Sequence, residues 1–209
     1  MGTDIYGWLE CRAWPGNLDE TSWSAAINLS LLTTARDYDA FGCLFGVRNY
    51  AKFGPIAADR GLPVDVSDVV RQDHAESLED MGFGDTWIGW DELKAVDWDE
   101  FAEAPDSRIH QYERGAAGEL RMVEKAVWSR KFTEVAGITG PVGGYGERNW
   151  PDGTEWVDGT TVFRAERLRR RDALSLDSGG DWQPLWDACA LLASVHGDEN
   201  VRLVVWFVS

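Results

Sequence analysis

Two arginines lie in a stretch with no regular periodicity, and they are the first hint of chemistry in this chain. Residues 45–67, FGVRNYAKFGPIAADRGLPVDVS, have neither a helical stripe nor strand alternation, yet they hold Arg48, Arg60, Phe45, Tyr50, Phe53, three glycines and two prolines. A guanidinium is a permanently charged fork that matches phosphate and carboxylate, and aromatic rings offer faces on which a base or sugar can stack. Gly61 permits close approach of backbone to a ligand. Fixed irregular loops frequently carry sites. The expected ligand site therefore comprises Arg48, Arg60, Gly61 and Tyr50, joined by Asp4, Tyr6 and Trp87. The alternative is that both arginines pair with nearby acids such as Asp39, Asp59 or Asp65 and hold the loop.

Other constellations are less specific. Trp8, Trp87, Trp90, Trp150 and Trp156 could line a stacking cleft, although a large aromatic is more often core. Arg167-Leu168-Arg169-Arg170-Arg171 is a dense basic run, read either as a binding patch or, preferably, as internal pairing with surplus carboxylates. His74, His110 and His196 show no metal-ligand spacing, so no metal or cofactor is expected. Asp4, Asp37 or Asp39 could serve as a base in a hydrolase or transferase. No nucleophile motif, Walker loop or dinucleotide fingerprint is present, and Gly143-Gly144-Tyr145-Gly146 follows no strand pattern. Binding of a small anion such as a nucleotide or sugar phosphate ranks first. An acidic interaction protein or inhibitor acting on a host protein ranks second, and an enzyme third.

The elements that must position these residues read as an α+β domain, a mainly antiparallel sheet with helices on at least one face. In residues 4–12, Ile5, Gly7, Leu9 and Cys11 alternate with Asp4, Tyr6, Trp8 and Glu10, which predicts a half-buried strand. Residues 23–31 alternate likewise and pair with it as a hairpin across the turn-like WPGNLDE. Short helices are expected over 37–45, from a Ser67 cap to 78, and from Asp91 to 96. Leu120, Val123, Val127 and Phe132 predict an amphipathic helix over 118–135. Residues 82–90 and 137–161 read as Gly- and Trp-rich irregular passages, the second as a long loop or wide hairpin. A helix from Asp181 to Gly197 and a central strand, VRLVVWFV at 201–208, close the chain. The organisation expected is one domain, 1–209, with long loops at about 45–66 and 137–159.

Composition bounds the class. A net charge of −16 with twelve tryptophans in 209 residues describes an acidic surface over a well-packed interior rather than disorder. That charge repels nucleic-acid phosphates and anionic membranes, so neither is an expected partner. The three cysteines, Cys11, Cys43 and Cys189, are far apart and odd in number, which predicts reduced, mostly buried thiols and a cytoplasmic location. No leader-like run opens the sequence and no segment approaches a membrane span. Composition says nothing of oligomeric state.

Several pieces together resemble a family of small uncharacterised proteins from phages and actinobacteria. Its members begin Met-Gly-x-Asp-Ile-His and carry Arg-Asn-Tyr-Asp, Pro-Ile, Arg-Gly-Leu-Pro and His-Ser-x-Ser-Trp. The matching residues here are Met1-Gly2-Thr3-Asp4-Ile5, Arg36-Asp37-Tyr38-Asp39, Pro55-Ile56, Arg60-Gly61-Leu62-Pro63 and Thr86-Trp87, followed by Glu92-Leu93. Tyr6 stands where the family has its first histidine, and Phe83-Gly84 where it has His-Ser. The resemblance covers about the first hundred residues. It implies a phage-type accessory protein, in a host cytoplasm, with a shared site region lacking those histidines.

Overall fold

The computed structural model describes residues 2–12, 22–33, 35–79, 81–126, 128–139, 150–176 and 179–209. Among them the strands are β1 (Asp4–Arg12), β2 (Trp23–Asn28), β3 (Phe83–Gly89), β4 (Ile109–Arg114), β5 (Leu120–Ala126), β6 (Thr154–Asp158), β7 (Thr161–Ala165) and β8 (Val201–Val208). The helices are α1 (Tyr38–Phe45), α2 (Asp68–Glu79), α3 (Trp90–Lys94), α4 (Arg130–Val135), α5 (Arg170–Ala173) and α6 (Gln183–His196). The strands form two antiparallel sheets, ordered β2-β1-β8-β3 and β5-β4-β7-β6, so the class is α+β. No described helix is long and apolar enough to cross a membrane.

β8 is the spine of the first sheet, buried along nearly its whole length and paired on both sides. Its alternation divides two cores. Leu203, Val205 and Phe207 join Leu9 of β1, Ile88 of β3 and the buried faces of α1 and α6. Val204 and Trp206 point the other way, where Val66 and Val70 of the α2 region cover them beside Trp8, Ala25 and Trp87. A third core lies on the second sheet, where Phe132 of α4 packs on Ile109, Phe163 and Ala165 and meets the edges of Trp150 and Trp156.

Local signals set the helix ends. Asp37 accepts a hydrogen bond from Ala40 N at 3.2 Å and starts α1; Gly46, at φ 79°, ends it in the left-handed region. Gly197 ends α6, whose buried stripe is Leu185, Trp186, Cys189 and Ala193.

Three expectations are corrected. The helix over 118–135 is instead β5 followed by the short α4, with only Phe132 of the supposed stripe buried on a helix. β5 pairs with β4 through a turn closed by Gly115 N to Glu119 O at 2.8 Å, and its Met122 and Val123 are exposed. Spacing alone thus mistook an exposed edge strand for an amphipathic helix, since strand pairing overrides a coincidence of spacing. The irregular passage at 82–90 is β3, extended despite Gly84 and Gly89 because β8 supplies its partner. Within 137–161, residues 154–158 form β6 in a tight hairpin with β7, and Gly143-Gly144-Tyr145-Gly146 lies outside the described residues, as does WPGNLDE. Ser67 stands at the start of α2 as expected, but its hydroxyl has no partner among the described residues; its backbone N–H donates to Glu10 at 2.8 Å.

Residues 46–67 do lack regular structure, and the reason is internal. Asn49 holds both the carbonyl and the N–H of Phe53, at 2.7 and 3.0 Å. Ile56 and Ala57 donate to Cys43 and Leu44, Thr86 Oγ1 donates to Ala57 O, and Arg170 donates to Gly54 O at 2.9 Å. Ala51, Phe53 and Ala57 are buried. The segment is a plug whose backbone groups are satisfied piece by piece. Phe45 and Phe53 are core rather than stacking faces.

The tightest backbone approach is at Gly7 in β1, at φ 154°, where a Cβ would meet Val204 O at 2.1 Å. Gly118, at φ 90° in the β4–β5 turn, has nothing within 4 Å. Gly118→Ala should therefore lower stability by about 1 kcal/mol from backbone strain alone. Gly7→Ala should lower it by about 3 kcal/mol or prevent folding. Urea unfolding of the two variants against the parent protein measures the difference, and equal costs would contradict the packing described.

Candidate functional site

Strand alternation puts Trp8, Glu10 and Arg12 of β1 on the α2 side of the first sheet, with Arg202 of β8 directly opposite Glu10 and Trp23 of β2 opposite Arg12. A charged residue in so buried a strand must be compensated. Arg202 is 4% exposed and Glu10 fully buried. Arg202 Nε donates to Glu10 Oε2 at 2.8 Å with Nη2 2.7 Å from the same oxygen, and Nη1 donates to Asp65 at 2.8 Å. Asp65 also accepts from Trp23 Nε1 at 2.9 Å. Burial pushes the Asp65 carboxyl up, but the hydrogen bond and charge of Arg202, with Trp23, outweigh it and hold the group below its ordinary value.

These contacts build an alternating series of guanidinium and indole groups. Arg12 and Arg202 lie 4.6 and 3.8 Å from the Trp23 ring centre, and Arg202 and Arg60 lie 5.8 and 5.4 Å from that of Trp87. All five groups line one cleft of about 570 Å³, together with Leu62, Pro63, Val64, Asp91, Glu92 and Glu199. Arg60 is bidentate on Glu92, at 2.8 and 3.0 Å, and also donates to Ile56 O. The hydrogen bond from Arg60 holds the Glu92 carboxyl below its ordinary value despite burial. Arg12 differs: among the described residues its one hydrogen bond goes to the Glu199 carbonyl at 3.3 Å, and its Nε finds no acceptor.

Of the residues expected at a site, Arg60 and Trp87 line this cleft, and Gly61 sits at its edge, its N–H on Asp85 O at 3.0 Å. The expectation that Arg48 and Arg60 share a recess is not met. Arg48, held at φ 52°, is exposed and donates to Thr3 Oγ1 at 2.8 Å, outside the cleft lining. Asp4 is paired with Arg36 on the surface, whose hydrogen bond holds its carboxyl below the ordinary value. Tyr6 is 44% exposed and lines no part of the cleft. Tyr50 lies between Tyr38 and Arg108, in the second sheet's charged network. Sequence reasoning missed Arg12, Trp23, Glu10 and Arg202. The signal available was Arg202 itself, a charge inside VRLVVWFV that demanded a buried carboxylate.

The second network surrounds His110 at the start of β4. His110 is wholly buried, with Nε2 3.0 Å from Asp106 and Nδ1 2.9 Å from Glu166. Ionised carboxylates only accept, so the ring donates from both nitrogens and is an imidazolium. Burial pushes its pKa down, but the two carboxylates outweigh burial and raise it. Burial raises Asp106, yet His110 and Arg108 together hold it down at about 2. Glu166 also accepts from Tyr112 OH, and Arg108 reaches on to Asp39, which Lys125 holds at 2.6 Å. Asp39 and Asp37, expected as alternative bases, are a salt-bridge centre and a helix cap.

The basic run pairs internally. Arg167 meets Asp152, Arg169 meets Asp172, Arg170 meets Glu100 and Arg171 meets Asp99, at 2.9 to 3.3 Å. The cysteines are free thiols, with burial pushing Cys43 up to about 11 and Cys189 to about 12. Family models, curated proteins and solved structures give no match to this chain.

The network fixes a pH window. Asp106 is depressed, so its contribution is complete above its ordinary value of 3.8 and is lost as pH falls toward about 2. His110 is raised, so its contribution is complete below 6.5 and is lost as pH rises through its folded-state value. Between pH 4 and 2 the parent protein should lose about 2 kcal/mol more than Asp106→Asn does. Thermal unfolding of both across that range tests it; parallel acid limbs would remove Asp106 from this role.

Proposed function

We propose that the protein binds a small anionic ligand bearing hydroxyl or amino donors, of the nucleotide or sugar-phosphate class, in the cleft edged by Arg12, Arg60 and Arg202. One observation carries the reading: three guanidinium groups border a single cleft, each stacked on Trp23 or Trp87. Stacking fixes the plane of a guanidinium, so less side-chain freedom is lost when the fork meets an anion.

The roles follow from how each cation is partnered. Arg12 supplies the primary grip, because among the described residues its fork donates only to one backbone carbonyl. Arg60 follows by exchanging Glu92 for the ligand. The pair is partly exposed, and such pairs contribute only about 0–1 kcal/mol. Arg202, committed to Glu10 and Asp65, serves as platform and field. Asp91, Glu92 and Glu199 then accept from the ligand's hydroxyl or amino groups, which favours a ligand with both an anionic end and a donor end over a bare anion. Binding requires no nucleophile.

Thermal shift and calorimetry with nucleoside monophosphates, sugar phosphates and inorganic phosphate test the proposal. At least one organic phosphate should stabilise the fold, by about 2.7 kcal/mol at a hundred times its Kd. Arg12→Ala should weaken that ligand by at least about tenfold, since a charge-assisted bidentate contact is lost. Arg12→Lys should recover only part of it, and Arg48→Ala should leave it unchanged. No response to any phosphate, or a response intact in a folded Arg12→Ala, overturns the proposal.

A further inference from the structure

Three indole rings meet at a small apolar slot away from the arginine cleft. Trp90 opens α3, Trp98 lies in the turn beyond it, and Trp186 comes from α6. Trp186 is the centre: Trp90 lies 6.0 Å from it at 36°, and Trp98 lies 6.1 Å from it at 63°. With Leu93, Leu176 and the Lys94 stem they line a space of about 160 Å³. A cavity of roughly this size, about 150 Å³, holds a body as large as benzene.

The slot differs from six of the protein's aromatic faces. Trp23, Trp87, Tyr50, Phe53, Phe101 and Tyr112 each carry at least one arginine over the ring. Among the described residues no such cation stands over Trp90, Trp98 or Trp186. Among the described residues the one charged group in the lining is Lys94, which is drawn to Asp198 at 2.5 Å. Tryptophan is the strongest cation–π partner, acting on a cation within about 6 Å of the ring centre. The chain's charge of −16 adds attraction for a cation and repulsion for an anion. Asp97, beside Trp98, is exposed and makes no ion pair among the described residues.

We propose that this slot is a binding site for a quaternary or methylated ammonium group. The rings surround the ammonium with electron-rich faces, Trp186 forms the floor, and the methyl groups fill the apolar volume. A strongly hydrated primary ammonium fits less well, because the slot offers few acceptors for its three N–H groups.

Tryptophan fluorescence and thermal shift with choline, tetramethylammonium and 3,3-dimethylbutanol separate the possibilities. The alcohol has the shape of choline without its charge. Both ammonium probes should give saturable responses, with the alcohol about tenfold weaker, as expected for a desolvated cation–π contact. Trp98→Ala should abolish the responses and Trp98→Phe should weaken them several-fold while keeping the fold. Lys94→Gln should strengthen binding by taking a like charge from the rim, and Arg12→Ala should change nothing. Equal binding of the alcohol, absence of saturation, a response that survives in folded Trp98→Ala, or one undiminished in folded Trp98→Phe overturns the proposal.

Discussion

A guanidinium lies in the middle of the first sheet, and much of the architecture on that side follows from it. Arg202 sits on a strand with neighbours on both edges, so it can reach water only along one face, and that face is closed by α2 and residues 60–67. Glu10 opposite it, Asp65 above it and the rings of Trp23 and Trp87 beside it are what make its burial tolerable. The pair also fixes register. A slip of β1 by one residue would turn Glu10 into the main core and leave Arg202 with an uncompensated charge. The plug is tied to the same pair, since Ser67 N donates to Glu10 and Asp65 reaches Arg202. The cleft is what remains open at the end of this arrangement.

The second sheet solves a similar problem with a histidine. His110 is held between Asp106 and Glu166, and Arg108 extends the network to Asp39 at the start of α1. Arg170 makes a further tie, from α5 to Glu100 and to the carbonyl of Gly54 in the plug. His110 is buried with its partners and Arg170 is buried against a half-exposed Glu100, and such pairs contribute less to net stability than to deciding which surfaces meet. Tyr50 and Arg60, neighbours in one irregular segment, thereby belong to different places: Tyr50 to the His110 network and Arg60 to the cleft.

What could be read from the sequence was whatever depended on short-range pattern. β1, α1, α6 and β8 are visible because their alternation or stripe is also their burial. β3 and β5 were not, since Gly84 and Gly89 weaken any strand signal and the Leu120–Val123 spacing imitates a helix; each strand is set by a partner distant in the chain. The same limit governs the site. Arg60 and Trp87 stood out through local context, a turn and an aromatic passage. Arg12, Trp23 and Arg202 come together only because three strands are adjacent, and the pairing of Arg60 with Glu92 depends on where α3 begins. Long-range strand order is the information that residue types and spacing do not hold.

Charge ties these features together. A chain with 36 acidic and 20 basic side chains has too few cations to neutralise its surface. Many of its arginines are drawn inward, to buried carboxylates and aromatic faces. The exterior is left acidic. At distances beyond about 8–10 Å, an approaching anion meets a repulsive field that salt screens. Any anion held here must therefore be gripped at contact range by planar, stacked forks, and a cation needs only an aromatic face without a resident arginine. The arginine cleft and the Trp90–Trp98–Trp186 slot show two ways in which the internal use of positive charge stops short among the described residues: in one, Arg12 meets no carboxylate, and in the other no guanidinium lies over the rings.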